Sequence, residues 1–377
     1  MIRTPTRIVL VAAAVLNLLC AGTASAQIRI GQTAGFTGPA GTAVTEISNG
    51  AKLYLNFVNA EGGINGQQIE LVSMDDKSLI PQTIENTNQL IADQRIVGLF
   101  LSRGTPQTQA VLPLLASGKI VLVAPSTGAM VLHNPVNPWV FNVRASYQRE
   151  AENVVRHLGL TGLDKVALLY VNDSFGEDAV QGAMKVFKQA GVTPAMIQSV
   201  DREKPDYTPL IAKLSELKPL GVIIIASPNS VTTGVKAMRA AGLRATVATL
   251  SNNAAGGFVT GLGNDAGSVI VSQVFPSERR LAVPMIAEAS RLAGAQKVSQ
   301  LTPAMIEGFA AAKVLVAALR RAEKESKVIT RLSLKRALES LDHLDLGGLE
   351  ISYSPTDHTG LDFADLSIIA ADGSFRR

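Results

Sequence analysis

Gly221-Val222-Ile223-Ile224-Ile225-Ala226 decides the fold class. No residue in this run is polar, so it lacks the alternation of a strand with one wet face and needs cover on both sides. Parallel sheets flanked by helices supply that cover. Outward from the predicted strand Val222–Ala226, one helical pattern precedes (Tyr207–Lys218) and another follows (Ser230–Ala241). Strands at Val166–Val171, Ile197–Val200, Thr246–Leu250 and Val269–Val274 alternate with helices at Tyr147–His157 and Gly176–Ala190. The first half repeats the theme, with strands at Ile28–Thr33, Ile69–Met74, Val97–Leu101 and Ile120–Ala124. Its helices are predicted at Val44–Asn59, Pro81–Asp93 and Thr105–Ser117; the first carries Val44, Ile47, Ala51, Leu55 and Val58 on one face. Such alternation predicts a doubly wound α/β architecture.

Two such series in 377 residues fit two domains better than one very wide sheet. Asn134–Ser146, with Pro135, Pro138 and a short extended Val140–Val143, reads as the first crossing between them. Beyond Phe275-Pro276 come helical patterns at Pro284–Ala293, Pro303–Glu323 and Leu332–Leu341, then Leu349–Tyr353 and Leu366–Ala371 as a hairpin-like pair. Lys plus Arg number 35 against 31 Asp plus Glu, too balanced for a nucleic-acid binder. At 47% hydrophobic and 18% charged, the chain has apolar mass for real cores and too little charge for disorder. A single cysteine, Cys20, excludes an internal disulfide, a cysteine-based zinc cluster and a CxxC redox pair.

The amino terminus has the three-part layout of an export signal. Arg3 and Arg7 precede an uncharged run from Ile8 to Cys20, and Ala24-Ser25-Ala26 offers small residues to a signal peptidase. Cleavage is expected after Ala26. The run is too short for a stable membrane span, and Asn17-Leu18-Leu19 before Cys20 does not fit lipidation. Phe309–Leu319 includes Lys313 and reads as a buried helix.

Ligands of open α/β sheets bind beyond the carboxyl ends of the strands. The loops there are Gly35–Gly41, Ser102-Arg103-Gly104-Thr105 and Pro125–Gly128 in the first half. In the second half they are Asn172–Gly176, Ser227–Ser230 and Ser251-Asn252-Asn253. Hydroxyls and amides fill them, with the cation Arg103 placed for a carboxylate and Phe175 for an apolar part. Catalysis is not expected. Gly35, Gly38 and Gly41 form neither a dinucleotide fingerprint nor a phosphate loop, and Gly261-Leu262-Gly263 lacks a suitably placed acid. The histidines at 133, 157, 343 and 358 match no metal spacing, no GxSxG elbow occurs, and Asp75-Asp76 reads as a solvent-facing pair. No cofactor is expected.

Gly35-Phe36-Thr37-Gly38, Asn59–Gly66, Asp75-Asp76, Ala124–Thr127, Phe141–Arg144 and Phe175-Gly176 together resemble periplasmic solute-binding proteins of the branched-chain amino acid type. The resemblance implies a type I periplasmic-binding fold: two doubly wound parallel-sheet lobes joined by a three-crossing hinge. The lobes would be residues 27–145 with 276–347 and residues 146–275 with 348–377, after a signal peptide of residues 1–26. It further implies a monomer that holds a small carboxylate-bearing solute, of the amino-acid class by default, and delivers it to the inner-membrane permease of an ABC importer. By the resemblance the solute carboxylate would lie at the loops of Ser102 and of Ser126 and Thr127, with Arg103 and Thr105 of the first loop added from the reading above, and the second lobe would close with Tyr147, Phe175, Asn229, and Asn252 or Asn253. The sequence departs from the amino-acid pattern in one respect. The second-lobe loops Ser227-Pro228-Asn229 and Ser251-Asn252-Asn253 carry no acid for an α-ammonium group, and Asp173 is the one acid nearby. An aromatic or aliphatic acid without an ammonium is therefore an alternative solute, and a ligand-presenting sensor subunit an alternative role.

Overall fold

A computed structural model describes residues 27–377; the export signal, its cleavage after Ala26 and Cys20 lie outside the described residues. Five strands form the first sheet: β1 (Ile28–Ala34), β2 (Ile69–Asp75), β3 (Ile96–Phe100), β4 (Leu122–Val123) and β5 (Val140–Phe141), in the order β2-β1-β3-β4-β5. All neighbours are parallel. The second sheet holds β6 (Val166–Val171), β7 (Met196–Val200), β8 (Gly221–Ile225), β9 (Thr246–Thr249) and β10 (Val269–Gln273). These five run parallel in the order β7-β6-β8-β9-β10, the first sheet's order repeated. The expected double winding is present twice. Every residue of β8 is buried, as its unbroken apolar run requires.

Helices cover both faces of the first sheet. On one side lie α1 (Gly41–Ala60) and the late helices, which share a core with Ile30, Phe100, Phe141 and Phe309. On the other, α2 (Ile80–Ala92) and α3 (Thr105–Gly118) close a smaller core around Leu90, Leu99 and Leu115. The second sheet is covered by α4 (Tyr147–Leu160), α5 (Ser174–Ala190), α6 (Thr208–Leu217), α7 (Pro228–Ala240) and α8 (Gly256–Leu262). The Gly261-Leu262-Gly263 stretch is the carboxyl end of α8. After β10 the chain returns to the first core through α9 (Pro284–Ala295), α10 (Pro303–Ser326) and α11 (Arg331–Glu339).

The contact of α1 with α10 is backbone on backbone. A Cβ on Gly50 would stand 1.9 Å from the Met305 carbonyl oxygen, and one on Gly308 1.8 Å from that of Ile47. Only glycine at both places allows the two helices to lie this close.

The closing hairpin expected from the sequence does not form. Glu350–Ile351 (β12) pairs antiparallel with Leu344–Asp345 (β11). Asp365–Ile369 (β13) instead pairs antiparallel with β10 and with Phe375–Arg376 (β14), extending the second sheet at that edge. The physical reason is burial: Ile351, Tyr353 and Leu361 sink into the first core, whereas Ile369 and Phe375 sink into the second. Asp76, read as solvent-facing, is also corrected. It is fully buried, because Thr33 and Thr83 hydroxyls at 3.2 and 3.1 Å and the Ser78 N–H at 2.8 Å replace its water.

His133 gives the fold a pH dependence. It is 6% exposed and neither ring nitrogen finds a partner among the described residues. Burial, with Arg144 nearby, pulls its pKa down to about 4. Since the neutral ring is the one the fold prefers, the stabilisation is whole above the unfolded value of about 6.5 and drains away as pH falls toward 4. We predict a loss of about 2–3 kcal/mol between pH 7.5 and 4.5 that His133→Leu removes, read by urea denaturation at both pH values. Equal slopes in the two proteins would refute it.

Candidate functional site

Both sheets reverse strand order at one place, between β1 and β3 and between β6 and β8, which is where such folds open a ligand crevice. The loops that leave these strands face one another. Between them lies a cavity of about 60 Å³ whose walls include Arg103, Thr105, Ser126, Tyr147, Phe175 and Asn252.

Arg103 is brought there by a tight turn from β3 into α3. Gly104 takes φ +93°, and a Cβ on it would meet Gln107 Oε1 at 2.2 Å. The Ser126 N–H donates to the Ser102 carbonyl at 2.7 Å, so the loops after β3 and β4 run side by side. From this frame the guanidinium donates to Ser126 Oγ at 3.0 Å and, across the cleft, to the Asn252 carbonyl at 2.9 Å. The Ser126 hydroxyl in turn donates to Glu307 Oε1 at 2.7 Å.

The charge arrangement is lopsided. Arg144 pairs with Glu150, and Arg202 with Asp173. Arg103 has no such ion pair among the described residues; Glu307 and Glu46 act on it only at longer range, and burial lowers its pKa. Asp173 is fully engaged: besides Arg202, its Oδ1 accepts from the N–H groups of Phe175 and Gly176 at 3.0 and 3.3 Å, capping α5.

Beneath the cavity sits a buried ionic cluster. Arg144 is 2% exposed and Glu150 is 0% exposed. The Glu150 carboxylate also takes the Ser251 N–H at 2.8 Å and the Ser272 hydroxyl, while Arg144 donates to Ser251 Oγ at 2.7 Å. Arg144 Nη1 stands 3.8 Å from Glu307, and its guanidinium lies 4.6 Å over the Tyr147 ring. Tyr147 in turn meets Phe175 edge-on at 4.6 Å.

Of the other expected residues, Ser102, Thr127 and Asn253 stand further back. Thr127 is fully buried and shares a 2.7 Å hydroxyl contact with Thr105, while Ser102 meets Thr108 at 3.1 Å. Asn253 turns its amide to Thr249 Oγ1 at 2.7 Å, and Asn252 ties its own to the Ala226 carbonyl at 3.0 Å. Asn229 is exposed and lines a neighbouring crevice of about 240 Å³ with Thr42 and Phe258. Glu307, Gln107 and Arg202 were not singled out from the sequence. For Glu307 the signal was present: it is the one charged residue from Ala304 to Ala312.

Two lobes that close over a polar cavity define a solute-binding clamp. The chain belongs to the periplasmic binding protein family, whose model matches residues 27–364. A Leu/Ile/Val-binding protein homolog 2 of Brucella abortus is 26% identical over 203 residues, 52% of this chain and 53% of that protein. The chain thus spans about half the length of the curated relatives it matches. A substrate-binding periplasmic protein from Ralstonia solanacearum superposes with TM-score 0.84 at 27% identity, covering 93% of this chain and 99% of that one. A Thermus thermophilus branched-chain amino acid ABC transporter structure with bound valine gives 0.80 at 19%, covering 93% and 94%. These relatives and neighbours are binding proteins, not enzymes, and the family name carries a periplasmic location.

Proposed function

We propose that the protein captures a small carboxylate-bearing solute between its lobes and hands it to the inner-membrane permease of an ABC importer. The observation that carries this reading is Arg103, a half-buried cation facing the cavity while its neighbours Arg144 and Arg202 are already paired. A carboxylate arriving there gains charge-assisted hydrogen bonds in a largely dry site. The solute enters as the lobes part and Arg103 leaves the Asn252 carbonyl; closure then stabilises the bound form.

Asp173 supports an aromatic or aliphatic acid without an ammonium group, because its oxygens are spent on Arg202 and the α5 cap. A specific observation favours the rival, an amino acid: the Glu307 carboxylate lies just under Ser126, and the Brucella relative is named for Leu, Ile and Val. Calorimetric titration with 4-methyl-2-oxopentanoate, benzoate and leucine separates the two. The oxo acid or benzoate is expected to bind tighter than leucine; leucine tighter than both would hand the site to amino acids. Residues 27–145 with 276–361 and 146–275 with 362–377 are the proposed lobes of an exported monomer, the last boundary moved from the expected 347/348. The burial of Tyr353 and Leu361 in the first core supports a third crossing placed after Leu361. A sensor subunit would use the same clamp, and permease reconstitution distinguishes it.

A further inference from the structure

The cleft has a second meeting place, apart from the cavity. Glu46 on α1 accepts the Gly256 N–H, at the start of α8, at 3.0 and 3.2 Å from its two oxygens. Thr302, the cap of α10, donates to the same carboxylate at 2.7 Å and fixes its orientation. One residue on, a Cβ on Gly257 would stand 2.5 Å from Thr42 Cγ2. Thus α1 and α10, from the first core, grip α8, from the second, through a charge-assisted hydrogen bond and a side-chain-free seat. Glu46, Gly256 and Gly257 are absent from the wall of the Arg103 cavity.

We infer that Glu46 and the Gly256-Gly257 pair form a clasp that holds the clamp closed and so sets solute affinity without touching solute. The contact joins the two lobes directly, so its free energy belongs to the closed state alone and moves the open–closed balance. Any solute that binds the closed form better than the open one inherits that bias. The inference deepens the reading of the clamp proposed above, and its first readout needs no solute.

The test places spin labels on Lys52→Cys and Lys236→Cys, exposed positions on α1 and α7, in a chain with no other cysteine from 27 to 377. Distances are measured by pulsed electron resonance in the labelled parent, in Glu46→Ala and in Gly257→Ala. The parent is expected to show a short, closed population with no solute added, and both variants to shift it to longer distance. For 4-methyl-2-oxopentanoate, dissociation constants should rise about ten-fold in both variants, mainly through faster release. Gly257→Ala puts a better helix former into α8, so weaker binding there cannot be blamed on a lost helix. Glu46→Gln, which keeps an accepting oxygen, should fall between parent and Glu46→Ala. Parent-like distances and affinities in Glu46→Ala and Gly257→Ala would overturn the clasp. If the oxo acid binds none of the proteins while the distances still shift, the clasp stands and the carboxylate reading falls.

Discussion

Replacing Arg103 by alanine is expected to weaken 4-methyl-2-oxopentanoate binding by about 100-fold or more, while leaving the melting temperature unchanged or slightly raised. The first half follows from losing a half-buried cation that meets the solute carboxylate, where truncating one partner of a buried charge pair costs about 2–5 kcal/mol. The second half follows from the fold's own electrostatics. Arg103 has no carboxylate partner in an ion pair among the described residues, and the longer-range pull of Glu307 and Glu46 does not offset its desolvation in the folded protein. Removing it relieves that cost. Structural arginines behave the other way, which makes the pair of measurements diagnostic. Arg103→Lys should recover only part of the affinity, because an ammonium keeps the charge but not the fork that reaches Ser126 and Asn252 together. Wild-type affinity in Arg103→Ala would remove the carboxylate from this end of the cavity.

The reverse result is expected at Glu150. Glu150→Ala should cost about 3–5 kcal/mol of stability in urea denaturation, because it leaves the Arg144 charge buried with little compensation. Glu307, at 3.8 Å from Arg144 and already accepting from Ser126, cannot substitute. The Ser251 N–H and Ser272 hydroxyl lose their acceptor as well. Removing both charges with Arg144→Met and Glu150→Met should restore much of the loss, since a desolvated pair gains little over apolar packing. A loss under about 1 kcal/mol in the single variant would mean that water enters the cluster and screens it. The position gives this cluster weight: Arg144 lies on the first crossing between the sheets, with Glu150 and Ser251 on one side and Glu307 on the other.

The sheets were legible because fully buried parallel strands leave an unmistakable trace, the unbroken apolar run of Val222 to Ala226 above all. Strand order was not, since pairing is a long-range choice; the two late segments looked like partners and found other edges. Reading the loops after each strand singled out Arg103, Thr105, Ser126, Phe175 and Asn252, the family resemblance added Tyr147, and all six line the cavity. It did not say which way each side chain turns. Ser102, Thr127 and Asn253 sit in the right loops but brace the wall from behind, a matter of local rotamers and hydrogen bonds. Glu307 stands 181 residues beyond Ser126 on a helix that reads as core. Only three-dimensional folding brings its carboxylate under the cavity. The clasp is still less visible, because a glycine pair at the start of a short helix looks like a turn until Thr42 is found against it.

The glycine contact between α1 and α10 bears on how such a protein changes over generations. At 50 and 308 every substitution adds volume onto a carbonyl oxygen of the facing helix, so neither site has a neutral step available. The cavity wall is made of loops and the first turns of helices, whose side chains meet no such backbone contact. Lineages can therefore trade one solute for another through 103, 175 or 252 while inheriting the helix crossing unaltered. The rod that carries Glu46 has little freedom to drift where it crosses α10.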